Sequence, residues 1–296
     1  MKFKKIGAID IGSNAMRLLI TQVRETEGET FFKKVLLTRL PVRLGQEAFI
    51  EQELSKETIA KFLQGMKAYK YLLKVHGVEV FRACATSAMR EAKNGSDVVR
   101  QAMDKTGIPI EIIDGREEAE LIFNGHFKDK LDPDSNYVYI DVGGGSTEIT
   151  ILSEERIIAA KSFKVGTIRL LNNLVKESQW KEMKTWVKQK TKHLDHVEAI
   201  GSGGNINKLY KLSEKSYPRP MLYQELKLLK NDLTSLSFED RISKYNVNPD
   251  RADVITLAGE IYFSVMKWSD ASIIHVPKIG LTDGIVTDLH AKELTA

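Results

Sequence analysis

The chain has 296 residues, 42% hydrophobic and 28% charged, so it can bury the cores of two ordinary domains and lacks a disordered composition. A formal net charge of +4 suits one anionic ligand but is no nucleic-acid footprint, and a single cysteine, Cys84, excludes an internal disulfide. The opening MKFKKIGAIDIG is interrupted by Asp and Gly-Ser-Asn before it can act as a signal peptide, and no apolar run reaches the ~20 residues that cross a bilayer; a cytoplasmic protein with neither membrane nor nucleic-acid partner is expected.

In chain order, residues 3–11 and 16–23 predict two strands joined by GSNA, with a third over 30–40. Ser55 is placed to cap a helix whose apolar face holds Ile59, Phe62, Leu63 and Met66, and Gly77 ends it. VEVFRACAT reads as a strand, SAMREAKNGSDVVRQAMDKTG as helical and IPIEII as a strand. GREEAELIFNGHFKDKL follows as a helix with its carboxylates at the amino end. After the turn DPDSN come strands at about 137–142, 147–153 and 156–165, then helices near 166–175 and 178–194. HVEAIGSGGN is a strand entering a glycine loop, and INKLYKLSE opens a helix after it. Residues 223–245 and 248–268 are predicted helical, SIIHV a buried strand and TDGIVTDLHAKEL a helix. The alternation indicates α/β with some antiparallel hairpins.

One sentence is written twice. IGAIDIGSNAMRLLI and YVYIDVGGGSTEITI superpose at an offset of 131 residues, so that Asp10 meets Asp141, Gly12 meets Gly143 and Ile20 meets Ile151. Two related halves follow. Three loops after strands carry small residues: Gly12, Ser13 and Asn14; Gly143, Gly144, Gly145, Ser146 and Thr147; Gly201, Ser202, Gly203, Gly204 and Asn205. Such loops turn main-chain N–H groups toward an anion, and the third also opens a helix. One such loop is an ordinary tight turn; three in one chain, two preceded by Ile-Asp, point to phosphate. Neither the P-loop pattern nor a Rossmann G-x-G-x-x-G is present.

Asp10 and Asp141 end strands beside these loops, where a carboxylate holds Mg²⁺ or, alternatively, bonds its own loop amides. Arg17 is matched by Glu148 in the repeat, a cation on one half and a carboxylate on the other. Glu117 and Glu118 stand at a helix start, either as a base toward water or as acids favoured by the dipole. Arg43, Arg90, Arg169 and Lys208 are cations suited to phosphate oxygens. His193 and His196 lack a third metal ligand and read as surface residues; Cys84, Tyr69, Tyr71, Trp180 and Trp186 read as packing residues.

AIDIGSNAMRLLI, ATSAMREAKN, IEIIDGREEAELIFNG, YIDVGGGSTEITI, AIGSGGNI and RADVITLAGEI together resemble the exopolyphosphatase and guanosine pentaphosphate phosphohydrolase family, within the superfamily of actin, sugar kinases and heat-shock ATPases. The resemblance runs from about residue 5 to about 290. It implies an α/β fold of two ribonuclease-H-like (actin-like) domains with an interdomain cleft: residues 1–120 plus a helix at about 285–296, and residues 121–284. It implies Glu118 as catalytic base, Asp141 and Glu148 as Mg²⁺-associated carboxylates with Asp10 their counterpart, and Gly143 to Ser146 as the main phosphate loop. Ser13, Asn14 and Arg17 match the facing loop, Arg90 a further cation, and Gly203 and Gly204 lie in the third glycine loop. The reaction implied is Mg²⁺-dependent hydrolysis of a terminal phosphoanhydride of polyphosphate or guanosine pentaphosphate by a homodimer. Ala15 stands where relatives carry Ser or Thr, Asn205 replaces a Thr, and LTDGIV lacks the Arg of LREGLL. The chain also stops where longer relatives add a helical region associated with gripping long chains. A phosphotransferase on the same fold and a non-catalytic guanosine tetra- or pentaphosphate sensor are the rival readings.

Overall fold

The apolar run that opens the chain forms β1 (Lys2–Ile11), in which Ile6, Ile9 and Ile11 are wholly buried. The structure is a computed structural model, and it describes residues 2–26, 29–124, 132 and 135–294. The chain divides into two units, Met1–Lys128 with Gly280–Ala296, and Asp129–Ile279.

In the first unit β1 pairs antiparallel with β2 (Met16–Thr26), which pairs with β3 (Glu29–Leu40). On its other side β1 pairs parallel with β4 (Val80–Ala85), and β4 with β5 (Ile110–Ile112), giving the order β3-β2-β1-β4-β5. Helices α1 (Leu44–Ala48), α2 (Lys56–Val75), α3 (Ser87–Glu91), α4 (Gly95–Thr106) and α5 (Gly115–Asn124) join these strands. Ser55 caps α2 as its sequence position requires, its Oγ accepting from Thr58 N at 3.2 Å. The face with Phe62, Leu63, Met66 and Tyr69 is buried. Each large apolar side chain so buried stabilises the fold by about 1.5–3 kcal/mol.

The second unit repeats the plan with β6 (Asn136–Val142), β7 (Thr147–Ser153) and β8 (Arg156–Phe163), then α6 (Thr167–Leu171), α7 (Glu177–Thr191), β9 (Val197–Ser202) and α8 (Gly204–Leu212). β10 (Met221–Leu222), α9 (Tyr223–Ser235), α10 (Phe238–Tyr245), α11 (Pro249–Ala252), α12 (Ile255–Ser269) and β11 (Ile273–His275) complete it. Its sheet order, β10-β11-β9-β6-β7-β8, is that of the first unit with one edge strand added. The duplication reaches the irregularities. A register shift falls between Ile20 and Thr21 in β2, and another between Ile151 and Leu152 in β7, the same 131-residue offset.

α13 (Leu281–Leu294) returns to the first unit and packs on α5. The approach is close: a Cβ at Gly284 would lie 2.0 Å from the Leu121 carbonyl oxygen. Asp283, in the LTDGIV segment, accepts from Gly280 N at 3.1 Å and pairs with Lys34 at 2.6 Å. It caps its helix and ties it to β3.

Several elements differ from the sequence expectation. The helical stretch after β4 breaks because Ala92 is extended (ψ 128). Residues 223–245 divide into two helices, because Leu236 is extended (ψ 149) and Ser237 caps α10 by accepting from Asp240 N. Residues 248–268 likewise divide into α11 and α12, and α1 and β10 are additional. The helix expected over 115–131 is present as α5 as far as Asn124, and residues 125–131 lie outside the described residues.

Candidate active site

Each unit carries a tight turn at the end of its first strand. Gly12 N donates to Ala15 O at 3.2 Å, and Gly143 N donates to Ser146 O at 2.9 Å. Across each turn the residues flanking it are direct cross-strand partners: Asp10 with Arg17, and Asp141 with Glu148. Such partners share a face of the sheet, so each pair is held side by side by register alone.

In the first unit the pair is an ion pair. Arg17 Nη1 donates to Asp10 Oδ2 at 2.6 Å, and Asp10 is 4% exposed. The Asp10 carboxylate, expected beside a metal, thus faces a guanidinium. Around it the turn is fastened by Gly45 N to Ser13 O at 2.8 Å and by Arg43 N to Asn14 O at 3.1 Å. Ser13 Oγ lies 2.9 Å from Ser87 Oγ. Thr86 and Ser87 follow β4 as Gly203 and Gly204 follow β9, so a second loop stands beside the first turn in this unit too. The sequence signal was the repeat itself, extended one strand further: Cys84 pairs with Asp10 as Ser202 pairs with Asp141.

Glu118 lies in the first turn of α5, partly buried. Asp114 caps that helix, its Oδ1 accepting from Arg116 N at 2.9 Å and Glu117 N at 2.8 Å. The Glu117 amide bond holds the Asp114 carboxyl below the usual carboxylate range. Glu117 is committed elsewhere: it pairs with Arg82 at 2.7 Å, and Arg82 also meets Glu111 at 2.6 Å and Asp288 at 3.3 Å. That cluster anchors α5 to β4, β5 and α13. Arg90 Nη1 donates to Ile113 O at 2.5 Å, which places it under the loop that leads to Glu118.

In the second unit Asp141 and Glu148 bring two carboxylates together. Glu148 is 3% exposed and accepts from Ser162 Oγ at 2.7 Å; Ser202 Oγ lies 3.5 Å from Asp141 Oδ2 and donates to Ile279 O at 3.0 Å. Gly203 sits at φ +105, and a Cβ there would lie 3.0 Å from Asp141 Oδ1, so only glycine passes so close to that acid. Beneath them Tyr262 donates to Ser202 O and accepts from Val142 N. Burial, and then the Asp141 charge, push the Tyr262 hydroxyl well above its ordinary pKa, so it remains a donor.

The glycine turn is braced from outside. Thr167 N donates to Gly143 O at 3.0 Å and Ile168 N to Gly144 O at 2.8 Å. Arg169, expected as a phosphate cation, is buried and donates from Nε to Gly145 O at 2.7 Å; its guanidinium shapes the turn. Lys208, also expected at phosphate, donates to Tyr245 O and Asn246 O at 3.0 Å, closing the end of α10. Desolvation, then Lys211 and Arg251, hold its pKa down.

Among the described residues no group of three or more His, Cys, Asp or Glu side chains forms a cage for a metal ion. The donor set at Asp141 and Glu148 nevertheless fits Mg²⁺, a hard ion that takes one or two carboxylates and fills its remaining positions with water and phosphate oxygens. Like charges directly opposite on neighbouring strands repel, and a divalent cation removes that cost.

A repeated strand–turn–strand cradle on a five-stranded and a six-stranded sheet, each in an α/β unit, defines a protein of two actin-like, ribonuclease-H-like domains. The sequence model of the Ppx/GppA phosphatase family matches residues 20–293, and the chain belongs to that family. It is 30% identical over 276 residues to the bifunctional 3-dehydroquinate synthase/phosphatase of Fusobacterium nucleatum subsp. nucleatum, covering 84% of this chain and 41% of that one. It is 34% identical over 175 residues to Exopolyphosphatase 2 of Mycobacterium tuberculosis, covering 57% and 54%. The chain thus spans about half, or less, of the length of these curated relatives. Among solved structures, an exopolyphosphatase from Cytophaga hutchinsonii superposes with a TM-score of 0.84 at 24% identity, covering 97% of this chain and 98% of that one. The Ppx/GppA family member of Aquifex aeolicus gives 0.78 at 24% identity, covering 99% of each. Both share the fold. No described helix is long and apolar enough to cross a membrane.

Proposed function

We propose that the chain hydrolyses a terminal phosphoanhydride, releasing inorganic phosphate from polyphosphate or guanosine pentaphosphate. The observation that carries this reading is the like-charged pair Asp141–Glu148 beside a glycine turn, in a chain of a phosphatase family. The amides of Gly143 to Ser146 bind the terminal phosphoryl oxygens, and Arg17 and Arg90 add cations. Mg²⁺, when held by Asp141 and Glu148, neutralises charge on those oxygens. Glu118 orients a water in line with the bond to be broken and accepts its proton. Catalysis of this kind rests on positioning and electrostatics.

The test is phosphate release from short polyphosphate, long polyphosphate and guanosine pentaphosphate side by side, with Mg²⁺ and with chelator. Turnover of at least one substrate, lost on chelation, is expected. Glu118→Gln should lower it about 10²–10⁴-fold with the circular-dichroism spectrum unchanged. Wild-type turnover in that variant would remove Glu118 from the mechanism. Tight binding of guanosine pentaphosphate without phosphate release would favour a sensor instead.

A further inference from the structure

Positive charge is unevenly spread along this chain. Residues 161–193 hold nine Lys or Arg against two Glu, a net +7, while the whole chain carries +4; the remaining residues are therefore net −3. Most of that excess lies on α7 and its flanks. Lys181, Lys184, Lys188 and Lys192 are spaced three, four and four residues apart, which places them in one row on a helix face. All four are exposed, while Met183, Val187 and Thr191 on the adjacent face are buried. Like charges at that spacing destabilise a helix, so the row is not explained by the fold. From Lys181 to Lys192 it extends about 16 Å.

The row has a defined start. Gln179 at the amino end of α7 donates to Lys164 O, and Lys164 is two residues from Gly166, whose neighbours Thr167 and Ile168 brace the phosphate turn. The other end leads into β9, whose first residue pairs with Asn136, six residues before Val142 at the turn. The row therefore runs away from the turn within the same unit. Beside it lies a surface cavity of about 390 Å³ lined by Lys161, Ser178, Lys181, Thr185, Trp186 and Gln189. Its only carboxylate, Glu182, is paired with Lys161 at 2.8 Å.

We propose that this lysine row and its cavity bind a linear phosphate polymer, holding the distal part of a long inorganic polyphosphate. Lysine acts as a point charge toward phosphate and reads no sequence. Nucleic acid is disfavoured because the aromatic rings here are engaged: Trp186 packs edge-on against Phe163 and Trp180 against Trp268, leaving no stacking platform. The inference rests on the phosphoanhydride reading for the polymer's identity, but its test does not need turnover.

Binding of labelled long polyphosphate is measured in chelator across a salt series, for the wild type and for the combined variant K181Q/K184Q/K188Q/K192Q. Gln retains helix propensity, so the fold is kept. Affinity should fall at least tenfold, and the slope of log affinity against log salt should shrink by about three, near 0.7 for each cation lost. With Mg²⁺, hydrolysis of tripolyphosphate should be unchanged and the KM for long chains raised. The matched lysine-to-arginine variant should bind as the wild type does. Unchanged long-chain affinity in the glutamine variant would overturn the proposal, as would equal or tighter binding of single-stranded RNA by the row. Binding through the row without any phosphate release would instead sink only the hydrolytic reading.

Discussion

The hairpins β1–β2 and β6–β7 share a turn and a register, yet they handle charge in opposite ways. In one, a buried aspartate is neutralised by the arginine across from it at 2.6 Å. In the other, the equivalent aspartate faces a glutamate. The backbone of a duplicated fold thus preserves where two side chains meet, and a single position decides whether an acid meets a base or a second acid.

The largest effect that sharpens this contrast is at Glu148. Glu148→Gln keeps the Ser162 bond and removes one of two facing charges. Phosphate release should fall by about 10²-fold or more, and the rise in Tm on adding Mg²⁺ should vanish. In chelator the same variant should be more stable than wild type, by about 0.5 kcal/mol, because a like-charge contact is gone. A lower Tm in chelator would break the comparison. Arg17→Met should act with the opposite sign. It leaves Asp10 buried without its cation and should cost about 2 kcal/mol, read by denaturant unfolding.

The smallest effect concerns Cys84, which occupies the position of Ser202. Burial pushes the Cys84 thiol up to about 12. Its folded pKa is raised, so its contribution is intact below the ordinary thiol value and is lost as pH rises toward the folded one. Stability should therefore begin to decline near pH 9. Cys84→Ser should remove that first decline, worth about 1 kcal/mol by pH 10, and leave the onset from Tyr69 and Tyr262. An identical stability–pH curve in the variant would show that Cys84 does not govern it.

The hairpins were legible because strands and glycine turns are written locally, and because the repeat gave each a second witness. What escaped depended on partners distant in sequence. Nothing local marks Arg169 as the brace of Gly145 O, or Lys208 as the closer of α10, since a cation reads alike whether it meets a ligand or a carbonyl. Nothing local shows that Glu117 meets Arg82, which lies 35 residues earlier in the chain. The division at Ser237 was readable after all: SFED carries a cap followed three residues later by an acid, a stop-and-start sign hidden inside a continuous apolar period. α1 is too short for any periodicity and is fixed by its bonds to Ser13 and Asn14.

The return of α13 to the first unit bears on how the protein is made. Residues 129–279 are contiguous and hold their whole sheet, whereas the other unit is closed by a segment that follows them in the chain. Until Gly284 seats against Leu121, the helix bearing Glu118 lacks its backing. A chain synthesised only as far as residue 279 therefore carries the whole of the second unit while α5 still lacks α13 against it, so the second unit can fold before the first is complete.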